Sequence, residues 1–279
     1  MRFDISKIFQ QICCISPEIK RLLWKNFYQY LATKDWGVDF LFMNYGFACL
    51  DSNEKKLLLK DLDQKYSFNI QLYHHVVSTV NLRGKDILEV GCGFGGGSFY
   101  MMKHFKPRSM IGVDFSEKII DFCKRHHSIE GLLFSHGDAE SLPFEENTFD
   151  AIINIESSRC YGSMERFLSE IYRVLRLDGY FLFADFRHKE EIPSLREKLN
   201  KSGLELLKEE VITPNVLKAM ELDHKRKVRL IQRKVPNLLH KSLESFAGTK
   251  DSRIYESFKF GVNIYFNYIL QKNNLNCNR

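Results

Sequence analysis

The chain has 279 residues, of which 44% are hydrophobic, and it carries a formal net charge of +6. This length suits one α/β domain with a cap, or at most two small domains. We expect neither a membrane span nor a secretory signal, because no apolar run approaches roughly 18–20 residues. The seven Cys include no C-x-x-C pair, which argues against a zinc site or a disulfide framework and favours a reducing, cytoplasmic setting.

Residues 1–80 are predicted to form an N-terminal helical lid that contributes to a substrate site. The segment is rich in aromatic side chains, namely Trp24, Phe27, Tyr28, Tyr30, Trp36 and Phe40. Two interpretations stay open for the side chains at positions 40–45. They could pack as core between a lid helix and the sheet, or they could close over a lipid tail and exclude water.

Residues 81–279 alternate short apolar runs with amphipathic helices, a pattern typical of a parallel sheet. We predict strands at 87–90, 110–113, 132–135, 151–155 and 180–184, and helices at 99–105, 117–126 and 164–175. A helical insertion at about 190–250 precedes a last strand at 262–270, which we expect at an antiparallel edge. These elements predict a doubly wound, Rossmann-like α/β fold with a mostly parallel sheet of seven strands.

The segment 86–98, DILEVGCGFGGGS, predicts a strand that ends in a glycine loop. Gly91, Gly93 and Gly95 lack a Cβ, so a ligand can approach the backbone and a helix can begin. The glycines also satisfy the G-x-G-x-x-G spacing of NAD-type dehydrogenases. Glu89 lies two places before the first glycine and favours a cationic ligand such as a sulfonium amino acid, since a carboxylate repels a pyrophosphate.

Further polar residues follow the next strands at the expected carboxyl edge. Asp114 ends the second strand, where a carboxylate can accept both ribose hydroxyls of an adenosine. Phe115 can pack on the adenine face. After the third strand, Asp138 can accept from the adenine amino group while the backbone N–H of Ala139 meets a ring nitrogen. Asn154 follows the fourth strand, where we expect the methionine end of the cofactor and the acceptor.

The unit E-x-G-x-G-x-G resembles motif I of class I S-adenosylmethionine (SAM) dependent methyltransferases. Several segments together resemble the phthiotriol and phenolphthiocerol dimycocerosate methyltransferase family, which O-methylates a hydroxyl of a long-chain polyketide lipid. They lie at 42–47, 71–74, 131–132, 137–140, 154–157, 160–161, 179–180 and 184–187. The resemblance implies SAM as cofactor and a hydroxyl of a lipophilic small molecule as acceptor. The residues expected to bind SAM are Glu89, Gly91, Gly93, Gly95, Asp114, Phe115, Asp138, Ala139 and Asn154.

One residue departs from the family pattern at the expected catalytic position. The family has a His before Cys-Tyr, whereas this chain has Arg159, which cannot accept a proton near neutral pH. Another group could be the base, with His188, His74, Tyr161 and Glu156 as candidates. Alternatively, the acceptor is already acidic and Arg159 stabilises its oxyanion, or turnover has been lost. We name Arg159, Tyr161 and His188 as the candidate catalytic residues.

Other functions remain as alternatives. The same fold could methylate carbon in a sterol-like or quinone-like acceptor, or bind SAM as a regulator without turnover. No Asp/Asn-Pro-Pro-aromatic motif follows the fourth strand, so we expect no nucleic-acid partner, and the spacing of possible ligands indicates no metal site. The basic run at 224–234 predicts a solvated helix face or peripheral contact with a membrane surface. The oligomeric state is left open.

Overall fold

A computed structural model of the chain describes residues 16–32, 39–51 and 64–273. Trp36, one of the predicted lid residues, lies outside this part of the chain. Seven strands form one sheet in the order β3-β2-β1-β4-β5-β7-β6. The strands are β1 Asp86–Val90, β2 Ser109–Asp114, β3 Leu132–His136, β4 Phe149–Ile155, β5 Leu175–His188, β6 Glu205–Val211 and β7 Asn263–Gln271.

The first five strands are parallel to one another, and β7 pairs antiparallel with both β5 and β6. This arrangement confirms the predicted Rossmann-like fold and the five predicted parallel strands. It also brings the carboxyl ends of β1, β2, β3 and β4 to one edge of the sheet, because parallel strands all end on the same side.

The prediction that the last strand lies at an edge is wrong. The residues of β7 from Tyr265 to Leu270 are buried, and the edge belongs to β6, within the stretch predicted as a helical insertion. Four of the seven residues of β6 are charged and its side chains are exposed or half-buried, so the strand lacks a clear apolar alternation. Charges of this kind suit an edge, where they discourage pairing with another chain.

Helices cover both faces of the sheet. Those in the described residues are α1 Pro17–Ala32, α2 Ser67–Val77, α3 Gly96–Phe105, α4 Glu117–His126, α5 Met164–Val174, α6 Ile192–Lys201, α7 Thr213–Lys234, α8 His240–Ala247 and α9 Arg253–Lys259. The start of α4 shows why the sequence folds this way. The Ser116 hydroxyl accepts from the N–H of Ile119 at 3.4 Å, and three basic residues occupy the last turn, where they stabilise the helix dipole.

Two apolar clusters form the core, one on each face of the sheet. Ile87 and Ile153 belong to the first cluster, whereas Leu88 and Ile152 belong to the second. This division follows from the alternation of side chains along a strand. Within the part of the chain that the structure describes, no helix is long and apolar enough to cross a membrane.

Candidate active site

A cleft, here called the central cleft, lies at the carboxyl ends of β1 to β4. The loop after β1 crosses the end of β2, since the N–H groups of Gly91 and Cys92 donate to the carbonyl of Val113 at 2.8 and 3.0 Å. A Cβ at Gly91, which has φ +76°, would lie 2.3 Å from Oγ of Ser157. Glycine at this position therefore allows the loops after β1 and β4 to meet beside the cleft.

Asp114 lines the central cleft at the end of β2. Its Oδ2 accepts from the N–H of Gly93 at 3.1 Å, and its Oδ1 accepts from the N–H of Ser116 at 3.0 Å. Burial raises the pKa of this carboxyl, and the two backbone N–H groups oppose that shift. The side chain is therefore fixed against the glycine loop in the place predicted for a ribose acceptor.

The residues predicted to contact adenine also lie together in the cleft. Phe115, Asp138 and Ala139 all line it. Oδ1 of Asp138 accepts from the N–H of Glu140 at 2.9 Å, and Oδ2 forms an ion pair with Arg21 of α1. The guanidinium of Arg21 lies 5.0 Å from the centre of the Phe115 ring. Helix α1 therefore covers this end of the cleft.

Three predicted cofactor residues lie outside the lining of the cleft, namely Glu89, Gly95 and Asn154. Glu89 is buried, and its carboxylate accepts from the hydroxyls of Tyr73, at 2.7 Å, and of Ser98. Burial raises the pKa of Glu89 to about 7. Tyr73 itself lines the cleft, so Glu89 is connected to the cleft lining through this hydrogen bond.

Gly95 and Asn154 hold the surrounding loops in place. Gly95 precedes α3 with φ +76°, and a Cβ there would lie 2.8 Å from the His127 ring. The Asn154 amide donates to the carbonyl of Val90 at 2.9 Å and to the hydroxyl of Tyr161 at 3.0 Å. Asn154 thus connects β4 to the end of β1 and positions a tyrosine that does line the cleft.

The three predicted catalytic residues occupy different environments. Tyr161 lines the cleft, and burial raises the pKa of its hydroxyl far above the usual range. Arg159 is next to the cleft, with its guanidinium 4.6 Å from the centre of the Phe186 ring. His188 ends β5 away from the cleft, where its Nδ1 accepts from the N–H of Glu190 at 3.4 Å. The structure does not bring His188 to the site.

Arg21, Trp24, Lys25 and Tyr28 of α1 all line the cleft. Trp24 and Tyr28 belong to the predicted aromatic lid, whereas Arg21 and Lys25 were not singled out from the sequence. The spacing of three, four and seven residues places all four on one face of a helix, a signal that was present in the sequence. In contrast, nothing near Ser157 in the sequence indicates that its hydroxyl meets Gly91.

The fold, the glycine loop after β1 and the acids Asp114 and Asp138 at the ends of the next two strands are those expected for the class of SAM-dependent methyltransferases. The residues present fit the cofactor, since carboxylates that can accept from hydroxyl and amino groups line the same cleft as a loop in which every second residue is glycine. The family profile described as "Methyltransferase domain" matches residues 88–183.

Curated relatives match along most of the chain. The "Fatty-acid O-methyltransferase" of Mycolicibacterium smegmatis is 35% identical over 245 residues, which cover 88% of each chain. The "Phthiotriol/phenolphthiotriol dimycocerosates methyltransferase" of Mycobacterium tuberculosis is 34% identical over 258 residues, 92% of this chain and 94% of the relative. The chain belongs to the methyltransferase family that contains these two enzymes.

A solved structure shows the same fold at lower identity. Geranyl diphosphate C-methyltransferase from Streptomyces coelicolor A3(2), in a complex that contains S-adenosyl-L-homocysteine, aligns with a TM-score of 0.60 and 16% identity. The alignment covers 88% of this chain and 98% of that chain. Among the residues that the structure describes, no group of three or more His, Cys, Asp and Glu side chains is arranged to hold a metal ion.

Proposed function

We propose that this methyltransferase transfers the methyl group of SAM to a hydroxyl of a lipophilic small molecule. The observation that carries the proposal is the mixed lining of the central cleft. Gly93 and Asp114, proposed to hold the donor, line the same cleft as the apolar side chains of Trp24, Leu41 and Met43, here called the apolar wall. An apolar wall in the cleft suits an acceptor with a hydrocarbon body.

The names of the curated relatives agree with a lipid-like acceptor. One is named for fatty acids and the other for phthiotriol and phenolphthiotriol dimycocerosates. Both cover most of this chain, including the segment at 39–51 that lines the cleft in this structure. We therefore extend the lipophilic character of the acceptor, but neither particular compound, to this protein.

The chain's own residues would hold the donor and exclude water. Asp114 would accept from the ribose hydroxyls and Asp138 from the adenine amino group, while Gly93 leaves its backbone open to the ligand. When bound, SAM supplies an electrophilic methyl group on a sulfonium with a good leaving group. Aligning the acceptor oxygen with that methyl group in a cleft that excludes water can lower the activation free energy by up to about 7–11 kcal/mol.

Arg159 would act next to the reacting groups. Its Nη1 is buried and has no hydrogen-bond partner among the described residues. The side chain lies between Phe186 and Trp24, with 5.9 Å from its Cζ to the centre of the Trp24 ring. A fixed positive charge here would favour negative charge on an acceptor oxygen bound in the cleft that Trp24 lines.

The test is methyl transfer from methyl-labelled SAM to lipids of defined chemistry. We expect a long-chain alcohol or an alkylphenol to become labelled. The product should be a methyl ether, which alkali does not cleave. Label in a fatty acid, released by alkali, would show that the acceptor is a carboxylate instead. Label in a sterol-like or quinone-like ring would show carbon methylation. Tight S-adenosylhomocysteine binding without transfer to any acceptor would favour the regulator.

A further inference from the structure

Glu156 lines the central cleft and has an unusual backbone conformation. It follows β4 directly. Its φ of +52° lies in the left-handed region, where a residue with a Cβ is strained. The N–H of Glu156 donates to the carbonyl of Ala184 at 2.8 Å, which holds the strained residue against β5. Strain of this kind concentrates at functional sites, where the surrounding structure maintains it.

The two carboxyl oxygens of Glu156 have different surroundings. Oε1 accepts from the N–H of Tyr45 at 2.8 Å and from the hydroxyl of Tyr265 at 2.9 Å. Oε2 is buried and has no hydrogen-bond partner within the described ranges. Two donors on Oε1 fix the carboxyl group, while Oε2 keeps its capacity to accept a hydrogen bond. A buried acceptor without a partner is costly unless something binds it.

Opposing charges surround this carboxyl group. Burial raises the pKa of Glu156 to about 7, and the negative charge of Asp185 adds to the rise, while Arg159 opposes it. Lys227 of α7 is buried within electrostatic range, and its Nζ has no hydrogen-bond partner in the described part of the chain. The titratable groups that act on Glu156, or that it acts on, are Tyr45, Tyr73, Arg159, Asp185, Lys227 and Tyr265.

We propose that Glu156 is the general base that removes the proton of the acceptor hydroxyl. The proposal rests on the hydroxyl acceptor proposed above. The acceptor O–H proton passes to Oε2, and the oxygen lone pair forms the new O–CH3 bond. The S–CH3 bond breaks and its electron pair stays on sulfur, so that S-adenosylhomocysteine and a neutral carboxylic acid result. Charge is balanced because one sulfonium and one carboxylate are neutralised together.

The other candidate bases fit this step less well. Tyr161 shares its hydroxyl with Asn154 and Ser157 at 3.0 and 2.9 Å, so its oxygen already has partners. The side chain of His188 lies outside the lining of the cleft. His74 is also outside that lining, with its Nδ1 3.4 Å from the hydroxyl of Tyr100. Among these candidates, Glu156 both lines the cleft and has a carboxyl oxygen without a hydrogen-bond partner in the described residues.

The experiment compares wild type with Glu156→Gln, which keeps one acceptor oxygen for Tyr45 and Tyr265, and with Glu156→Asp. The acceptors are a long-chain primary alcohol and a 4-alkylphenol with the same tail, whose hydroxyl has a pKa of about 10, as in Tyr. Affinity for S-adenosylhomocysteine is measured by calorimetry in parallel. Glu117→Gln, an exposed position on α4, is the matched control for loss of a carboxylate.

We expect Glu156→Gln to lower kcat for the alcohol by roughly 10²–10⁴-fold, with a smaller loss for the phenol at high pH, because an ionised phenol needs no base. The rise of kcat/KM with pH through about 7 should disappear in this variant. Glu156→Asp should retain part of the activity. S-adenosylhomocysteine affinity should stay within a factor of about 2–3 in every variant, since no contact to the donor is removed.

Two results would overturn the proposal in distinguishable ways. Equal rates for wild type and Glu156→Gln, or equal losses for the alcohol and the ionised phenol, would show that Glu156 is not the base although the enzyme methylates hydroxyls. The absence of transfer by wild type to either hydroxyl would remove the proposed function itself, and with it the need for a base.

Discussion

Asp114 connects two loops and faces the ligand site at the same time. Its carboxyl oxygens accept from the backbone of Gly93 and of Ser116, which belong to the turns after β1 and β2. Asp114 also lines the central cleft. Substitution at this position is therefore expected to remove the proposed ribose contact and to loosen the glycine loop.

We expect Asp114→Ala to weaken S-adenosylhomocysteine binding by at least about tenfold, because charge-assisted hydrogen bonds to hydroxyls are lost. Isothermal titration calorimetry measures the effect directly. Asp121→Asn, on the exposed face of α4, is the control and should bind as wild type does. Unchanged affinity in Asp114→Ala would show that the ribose is held elsewhere.

Glu89 makes the stability of the protein depend on pH. The unfolded carboxyl loses its proton near its ordinary value of 4.5, whereas the folded one keeps it up to about 7. The folded state thus binds more protons between these values, and its stability falls as pH rises from about 4.5 to 7. The full contribution of the group is present only below about pH 4.5.

We expect the free energy of unfolding of Glu89→Gln to decrease less with rising pH than that of wild type, because Gln has no proton to lose. The difference between the two decreases should be on the order of 3 kcal/mol. Chemical denaturation at pH 5 and pH 8 gives the comparison. Glu156 titrates in the same range but is present in both proteins, so its contribution cancels in the difference. Parallel stability curves for the two proteins would contradict the prediction.

At the scale of elements, α1 forms one wall of the cleft through a single face. Trp24 stacks on Tyr28 with ring centres 5.6 Å apart and contacts Phe246 of α8 at 6.2 Å. The aromatic contacts of Trp24 thus connect the N-terminal segment to the stretch at 190–250, which was predicted as a helical insertion. Removing the Trp24 ring should enlarge the part of the cleft proposed for the acceptor and leave the position of Asp114 unchanged.

We expect Trp24→Ala to raise the KM for a long-chain acceptor by roughly tenfold or more, because a large apolar surface next to the acceptor is lost. Affinity for S-adenosylhomocysteine should change much less. Tyr30→Ala, on the outward face of the same helix where the side chain is 50% exposed, is the matched control. An equal effect of both substitutions would point to the stability of α1 rather than to acceptor binding.

The elements that could be predicted from the sequence are those with a clear apolar pattern or a recognisable end. β1 is a mostly apolar run that leads into a glycine, and α4 has an apolar face and a serine cap. The charged edge strand β6 has neither, and so its position was missed. In the site, Asp114 and Asp138 follow strands that are close in sequence, whereas the ion pair of Asp138 with Arg21 joins residues 117 positions apart and leaves no local signal.

For the whole molecule, the basic run at 224–234 presents charge rather than apolar surface. Leu230 and Ile231 are buried in α7, whereas Lys225 and Arg229 are exposed. The apolar face that a membrane-inserted helix would need is thus used within the protein. Contact with a membrane through this helix stays a prediction, and it would depend on charge.

We expect weak binding to vesicles that contain phosphatidylserine at low salt, and its loss as salt screens the charges over the Debye length of about 8 Å at physiological ionic strength. Co-sedimentation measures this binding. The double variant Lys225→Glu with Arg229→Glu should not bind. Binding to neutral phosphatidylcholine vesicles by the wild-type protein would contradict a purely electrostatic contact.

Helix α1 lines the cleft beside both proposed ligands, so it can couple the binding of one to the binding of the other. The same helix contributes Arg21, which pairs with Asp138 at the predicted adenine site, and Trp24, which is part of the apolar wall proposed for the acceptor. If α1 settles more firmly when either ligand is bound, the two affinities are linked, and each ligand must strengthen the other by the same factor. Titrating S-adenosylhomocysteine with and without a bound acceptor analogue would then reveal reciprocal cooperativity between the two ligands.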